Sequence, residues 1–236
     1  MKNILMGVLL ISAVIIGVVY INNVPSKNSL KPEIFITLED HLKNKGHDMT
    51  QGIGDSRYEG YVTDSQKKQF NDQIKLYPNV KSILEIGLNG GHSAENFFQK
   101  YPDLNKFLSF DIYDHQYTHD AADYLKKKYK DRFVAIQGNS QFTIPKYVHE
   151  YPNEKYDLIY IDGSHNYEYV LNDIKNCKAL AHKDTVVWID DYDSKEVQQA
   201  VNESIKDKIV AVKNTQVAFD PVAGDRTWIE VRYVFP

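Results

Sequence analysis

Four stretches of this 236-residue chain run through an apolar, strand-length segment and end directly on a glycine or carboxylate cluster: Ser82–Gly91, Phe107–Asp111, Tyr156–Gly163 and Thr185–Asp191. Strands that are apolar throughout are buried on both faces, as in a parallel sheet covered by helices on each side. In such an open sheet the strands end along one edge, and ligands bind in the crevice outside their carboxyl ends. The four clusters are therefore expected to meet in space although they span about a hundred residues of sequence, the usual scale of one domain.

The intervening segments read as helices. Strand 81–86 leads to helix 91–100, strand 107–111 to helix 118–130, strand 133–137 to helix 141–150, strand 156–161 to helix 166–181, and strand 185–190 to helix 194–206. Two further runs, Ile209–Phe219 and Thr227–Phe235, have only the turn Asp220–Asp225 between them and should pair as an antiparallel hairpin. The expected fold is α/β: a Rossmann-like, doubly wound sheet of five parallel β-α units plus a C-terminal antiparallel β-hairpin, over residues 81–236.

What precedes residue 81 is of another kind. Ile4–Ile21 is apolar and uncharged, and about eighteen residues at 1.5 Å each give roughly 27 Å, enough for most bilayer cores. Residues 1–21 are expected to be a signal anchor, a single transmembrane helix placing the protein at a membrane. A cleaved secretory signal is the alternative, although no small-residue cleavage site precedes Pro25. Residues 22–31 read as a linker, and 32–80 as a helical and lid segment. Within it a short helix falls in 32–45 and another runs from a cap at Thr63 or Ser65 to about Leu76. The glycine-rich stretch between them, with Arg57, Tyr58 and Tyr61, is either a lid or a plain polar loop.

The formal charge is −4 without a basic stripe, which argues against nucleic acid as partner. Lys126-Lys127-Lys128 is the strongest positive run and reads as a solvated helix face. Cys177 is the only cysteine, so an intrachain disulfide and a cysteine-based zinc site are both excluded, and it is expected in the core.

The clusters themselves describe a nucleotide-type cofactor site. In Glu85-Ile86-Gly87-Leu88-Asn89-Gly90-Gly91, Gly87 can form the tight turn, Gly90 or Gly91 lets a ligand approach the backbone, and Asn89 tolerates left-handed geometry. This is not the dinucleotide G-x-G-x-x-G, and an acid at Glu85 would repel a pyrophosphate. Asp111 closes the second strand and can accept ribose hydroxyls, with Ile112 beside it as an apolar wall. Asp162, Asp190 and Asp191 follow neighbouring strands, and three carboxylates in one small space call for a hard cation such as Mg²⁺. The competing reading makes Asp190 and Asp191 caps of the next helix. His165, three residues after Asp162, could take a proton from a substrate hydroxyl or merely line the pocket. Tyr167 and Glu168 are expected at the pocket wall, and His115 and His119 at the surface.

Five β-α units, a final hairpin and a glycine turn after the first strand resemble class I S-adenosylmethionine-dependent methyltransferases from about Asn79 to Pro236. Ile161-Asp162-Gly163-Ser164-His165-x-Tyr167-Glu168 and Ile189-Asp190-Asp191-Tyr192 are similar to a narrower group of small-molecule and sugar O-methyltransferases, some of them magnesium-dependent. The resemblance implies S-adenosyl-L-methionine as cofactor, Glu85 organising its methionine moiety, and Asn139 and Ser140 near adenine, although Ser140 could equally cap the next helix. It implies transfer to a hydroxyl of a small molecule or glycan, with Asp162 and His165 as catalytic residues and Asp162, Asp190 and Asp191 around Mg²⁺. An NAD-dependent oxidoreductase on the same sheet and a membrane-tethered interaction protein are the competing readings, and a free edge at the hairpin would permit a homodimer.

Overall fold

The computed structural model describes residues 36–49, 64–218 and 226–236. Its elements in chain order are α1 (Leu38–Asn44), α2 (Asp64–Ile74), β1 (Ser82–Ile86), α3 (His92–Lys100), β2 (Lys106–Asp111), α4 (Gln116–Tyr129), β3 (Phe133–Gln137), α5 (Ser140–Glu150), β4 (Tyr156–Ile161), α6 (Tyr167–Cys177), β5 (Ala181–Ile189), α7 (Lys195–Lys206), β6 (Val210–Ala218) and β7 (Arg226–Tyr233). The strands form one seven-stranded sheet in the order β3-β2-β1-β4-β5-β7-β6. The first five are parallel, and β7 joins antiparallel between β5 and β6.

Successive side chains of a strand point to opposite faces, and each face has its own core. Ile83, Phe107, Leu158, Tyr160 and Trp188 pack with residues of α1 to α4, including Leu38, Phe97 and Leu125. Leu84, Ile86, Phe110, Ile159 and Ile189 pack with α5, α6 and α7 through Ile144, Ile174 and Val201. Cys177 lies buried in this second core.

Register brings the carboxyl ends level. Ile86 lies opposite both Phe110 and Ile161, and Ile161 lies opposite Ile189. One more rung follows past the strand ends, where Gly87 N–H donates to Phe110 O at 2.8 Å, Asp162 N–H to Ile86 O at 2.9 Å and Asp190 N–H to Ile161 O at 2.9 Å. The order reverses at β1, which has β2 on one side and β4 on the other. That switch point is where an open α/β sheet leaves a crevice.

The membrane-spanning helix in the expected fold, and the membrane localisation drawn from it, are corrected. No helix among the described residues is long and apolar enough to cross a membrane. The longest, α4, has 14 residues, about 21 Å at 1.5 Å per residue against a hydrocarbon core of about 30 Å. Residues 4–21, the linker 22–31 and the lid residues Arg57, Tyr58 and Tyr61 lie outside the described residues.

Three local differences have physical causes. The helix expected over 166–181 ends at Cys177 and closes in a 3-10 turn at Lys178–Leu180, so β5 begins at Ala181. Lys128 is not a solvated charge. Its Nζ donates to Glu95 Oε1 at 2.6 Å, because Glu95 is only 7% exposed and needs a cation. Tyr167 ties α6 to α7 through hydrogen bonds to Glu203 and Glu196, which takes it away from a pocket wall.

Candidate active site

The glycine turn is held by close backbone approach. Gly87 sits at φ +94°, and a Cβ there would stand 2.0 Å from the Asp162 carbonyl oxygen. No side chain fits between these two strand ends, so glycine is required. Asn89 at φ 49° and Gly91 at φ 75° complete the turn, and Gly91 caps α3. The segment 36–49 closes over it: Met49 is fully buried, and a Cβ on Gly90 would meet its Cε at 3.0 Å. His92 pairs with Glu39 at 3.1 Å and His47 with Asp120 at 3.1 Å, fastening that segment to α3 and α4. The expectation of helix in 32–45 did not anticipate this docking.

Glu85 is sealed beneath the turn. It is 0% exposed, accepts from the Ser93 hydroxyl through Oε1 and from Ser109 Oγ through Oε2 at 2.9 Å. Burial pushes its carboxyl up to about 8 against the pull of the two hydroxyls, and the nearby charge of Asp111 pushes the same way.

Asp111 is the organiser of the turn. Its Oδ2 accepts Leu88 N–H at 2.8 Å and Asn89 N–H at 3.0 Å, and its Oδ1 accepts Tyr113 N–H at 2.6 Å. A carboxylate has about four acceptor sites, so three are taken by backbone and about one, on Oδ1, remains for a ligand. Ile112 is 52% exposed beside it. Phe142, in the first turn of α5 after the neighbouring strand, is 73% exposed. The sequence reading passed over Phe142; its signal was a large aromatic three residues past the Asn139 cap, in the first turn of the helix that follows β3. Asn139, and not Ser140, caps α5, its Oδ1 accepting from Gln141 N–H at 2.9 Å. His115 and His119 are engaged with Tyr117 and Tyr113 respectively, at ring separations of 4.7 and 4.8 Å.

Across the switch point, Asp162, Asp190 and Asp191 present carboxylate oxygens that all lie within 4.8 Å of one another. Asp190 and Asp191 are not helix caps: α7 begins four residues after Asp191, with Ser194 as its N-cap. Asp191 instead takes a left-handed backbone, φ 51°, which turns its side chain back toward strand four's loop. Backbone outliers of this kind concentrate at functional sites. The Tyr160 hydroxyl donates to Asp190 Oδ2 at 2.6 Å and lies 3.0 Å from Asp162 Oδ2. One phenolic proton thus serves two carboxylates. His165, 63% exposed at the side chain, meets Asp191 Oδ2 through Nε2 at 2.6 Å. Asp162, Asp190, Asp191 and His165 line a small cleft together with Gly163, Ser164, Val170 and Val197.

The donor set fits a hard cation. Mg²⁺ takes oxygen ligands, and Asp162, Asp190 and Asp191 are the residues that would hold it, supplying charge to polarise a bound hydroxyl. An imidazolium at His165 offers the alternative source of positive charge.

Residues 84–192 match the family model described as a methyltransferase domain. Among curated proteins none matches the sequence. Solved structures are similar throughout the described domain. The O-methyltransferase from Bacillus cereus in complex with SAH has a TM-score of 0.65 at 14% identity, over 87% of this chain and 94% of that one. The O-methyltransferase of tomaymycin synthesis from Streptomyces achromogenes, in complex with SAM, has 0.59 at 16%, over 84% and 88%. A TDP-rhamnose 3'-O-methyltransferase of calicheamicin biosynthesis has 0.52 at 16%, over 85% and 88%. At such identities the likeness is one of fold. The family match runs from β1 to the loop after β5, taking in the glycine turn, Asp111, Asp162 and Asp191, so that residues 84–192 carry a methyltransferase domain.

Proposed function

We propose that the protein transfers the methyl group of S-adenosylmethionine to a hydroxyl oxygen of a small molecule, preferentially a sugar or glycan hydroxyl. The cofactor would lie across the switch point, its ribose held by the remaining acceptor site of Asp111 Oδ1 and its purine between Ile112 and Phe142. Asn139 and Ser140 border the purine, and the glycine turn at Gly87, Asn89 and Gly91 faces the methionine part. The bound cofactor supplies an electrophilic methyl carbon on a sulfonium. A C–O bond forms as the C–S bond breaks, and the hydroxyl proton must go to a base.

The observation that carries this reading is the pair His165 and Asp191, 2.6 Å apart at the mouth of the acidic cleft. With Nε2–H donating to Asp191, the imidazole lone pair is on Nδ1, the arrangement of an oriented general base. Mg²⁺ bound by Asp162, Asp190 and Asp191 would lower the pKa of an acceptor hydroxyl that it ligates. The sugar preference rests on the Asp190-Asp191-Tyr192 signature and on the fold shared with the TDP-rhamnose enzyme.

The test is calorimetric titration of the protein with S-adenosylmethionine, with and without Mg²⁺, alongside His165→Ala and Asp162→Asn, followed by acceptor screening with nucleotide sugars. Micromolar cofactor binding retained in His165→Ala, with turnover reduced about 10²–10⁴-fold, is the expected result. Unchanged turnover in His165→Ala sinks the base assignment. Mg²⁺-independent turnover sinks the metal.

A further inference from the structure

Tyr160 lies on β4 two residues before Asp162 and is 5% exposed. Its ring is packed from α2 and α3, with Phe70 at 5.5 Å and Phe97 at 6.0 Å between ring centroids. The hydroxyl oxygen lies on the axis about which such a ring turns, so this packing fixes where it stands. It meets Asp190 Oδ2 at 2.6 Å and Asp162 Oδ2 at 3.0 Å. The third acid is also engaged through one oxygen, Asp191 Oδ2 meeting His165 Nε2 at 2.6 Å. Each of the three carboxylates therefore has one oxygen held by a neighbouring side chain, and for two of them that side chain is Tyr160.

We propose that Tyr160 is a positioning residue that makes the acidic cleft selective for Mg²⁺ over Ca²⁺, by holding Asp162 and Asp190 each to ligation through a single oxygen. This rests on the reading of the three acids as a Mg²⁺ site. Mg²⁺ demands a near-ideal octahedron of about six ligands and parts with its waters reluctantly, whereas Ca²⁺ takes about six to eight oxygens, often both from one carboxylate. A carboxylate oxygen that accepts a phenolic proton has part of its charge committed, so a cation is better served by the other oxygen of each acid. Three acids that ligate through one oxygen each leave about three positions of an octahedron for water and for the acceptor's oxygens. Those open positions are what a hydroxyl needs in order to be polarised. Chelation through both oxygens of Asp162 and Asp190 fills them with protein and suits the larger ion.

The packing lets the hydroxyl be removed by itself. Phenylalanine keeps the ring and its contacts with Phe70 and Phe97, so Tyr160→Phe deletes only the tether between the two acids. Without the phenolic proton both carboxylates offer more negative charge, which strengthens the hold on either cation. Release of the second oxygen of each acid distinguishes the two ions, and it favours Ca²⁺. A tyrosine whose hydroxyl merely satisfies its own burial needs one acceptor; this one stands between two of the three candidate ligands.

Calorimetric titration of the full-length protein with MgCl₂ and with CaCl₂ at one ionic strength tests this, in wild type and in Tyr160→Phe. Wild type should prefer Mg²⁺, and the ratio of Mg²⁺ to Ca²⁺ affinity should fall roughly five- to tenfold in Tyr160→Phe, the worth of one hydrogen bond. A hydroxyl with only a structural role would change both affinities together, so a ratio that stays within about twofold of wild type overturns the proposal. A wild type that prefers Ca²⁺ overturns it as well. Should Tyr160→Phe fail to fold, infrared spectra of Mg²⁺-loaded wild type carry the test. The antisymmetric and symmetric carboxylate stretches must then lie far apart, the mark of ligation through one oxygen, and the narrow separation of two-oxygen chelation overturns the proposal equally. Binding of neither ion by wild type defeats the metal reading itself, and the proposal with it.

Discussion

Glu85→Gln isolates the cost of burying an acid under the glycine turn. Glu85 is 0% exposed, and its carboxyl is raised from an ordinary 4.5 to about 8 by burial. A raised acid contributes stability that is fully present below the unfolded value of 4.5 and lost as pH rises through the folded value of about 8. At about 1.4 kcal/mol per unit, ionisation in the unfolded chain alone costs the fold about 3 kcal/mol at pH 7 and about 5 kcal/mol well above pH 8. Glutamine has the same shape and does not titrate. Its carbonyl can accept from one of Ser93 and Ser109 and its amide donate to the other, at a cost of about 1 kcal/mol or less relative to the neutral acid. The variant should therefore be slightly less stable than wild type at pH 5 and about 3–4 kcal/mol more stable at pH 8.5. Urea unfolding at several pH values reads the difference, in which every other titrating group cancels. Two stability curves that run parallel from pH 5 to 8.5 would refute the reasoning, because they would show Glu85 titrating alike in the folded and unfolded chain.

Gly87→Ala should remove about 3 kcal/mol or more, since the new Cβ would lie 2.0 Å from the Asp162 carbonyl oxygen at a backbone angle of φ +94°; a melting temperature within 2 °C of wild type, about the shift of half a kcal/mol or so, contradicts that. Phe142→Ala should leave stability unchanged, because the ring is already 73% exposed. It should weaken S-adenosylhomocysteine binding about tenfold, from roughly 50 Å² of apolar contact at 25 cal/mol per Å², and equal affinity in calorimetry removes the ring from the purine site.

The sheet was legible because its physics is local. A strand covered on both faces is apolar at nearly every position, and β4 and β5 show this in the runs Leu158–Ile161 and Val186–Ile189, while β1 and β2 keep one buried polar residue each, Glu85 and Ser109. The hairpin was legible for the same reason, from two runs without a helix between them. Helix ends were less so. Asn139 and Ser140 are both good caps, and only the backbone distinguishes them: Asn139 is extended, at φ −64° and ψ 123°, while Ser140 already belongs to α5. The long apolar run at residues 4–21 was read from hydropathy and length alone, which say how a segment partitions but nothing of the residues around it.

The acids at the sheet edge show where sequence reading stops. Glu85, Asp111, Asp162, Asp190 and Asp191 all read as carboxylates at strand ends, but their chemistry is set by which hydrogen atoms reach them. Asp111 spends its acceptor capacity on Leu88, Asn89 and Tyr113 N–H groups, so its first task is to shape the turn that a cofactor would occupy. Glu85 is enclosed by two serines, one of which, Ser109, has no sequence signal beyond being a polar residue inside an apolar strand. Asp190 shares one tyrosine proton with Asp162, while Asp191 turns through a left-handed backbone to meet His165. Five similar residues therefore divide into a turn organiser, a buried acid raised by desolvation and a cluster of three acids gathered around Tyr160 and His165. Position along the strand fixed where each carboxylate stands; only the neighbouring strand, one rung away, decides what it can do.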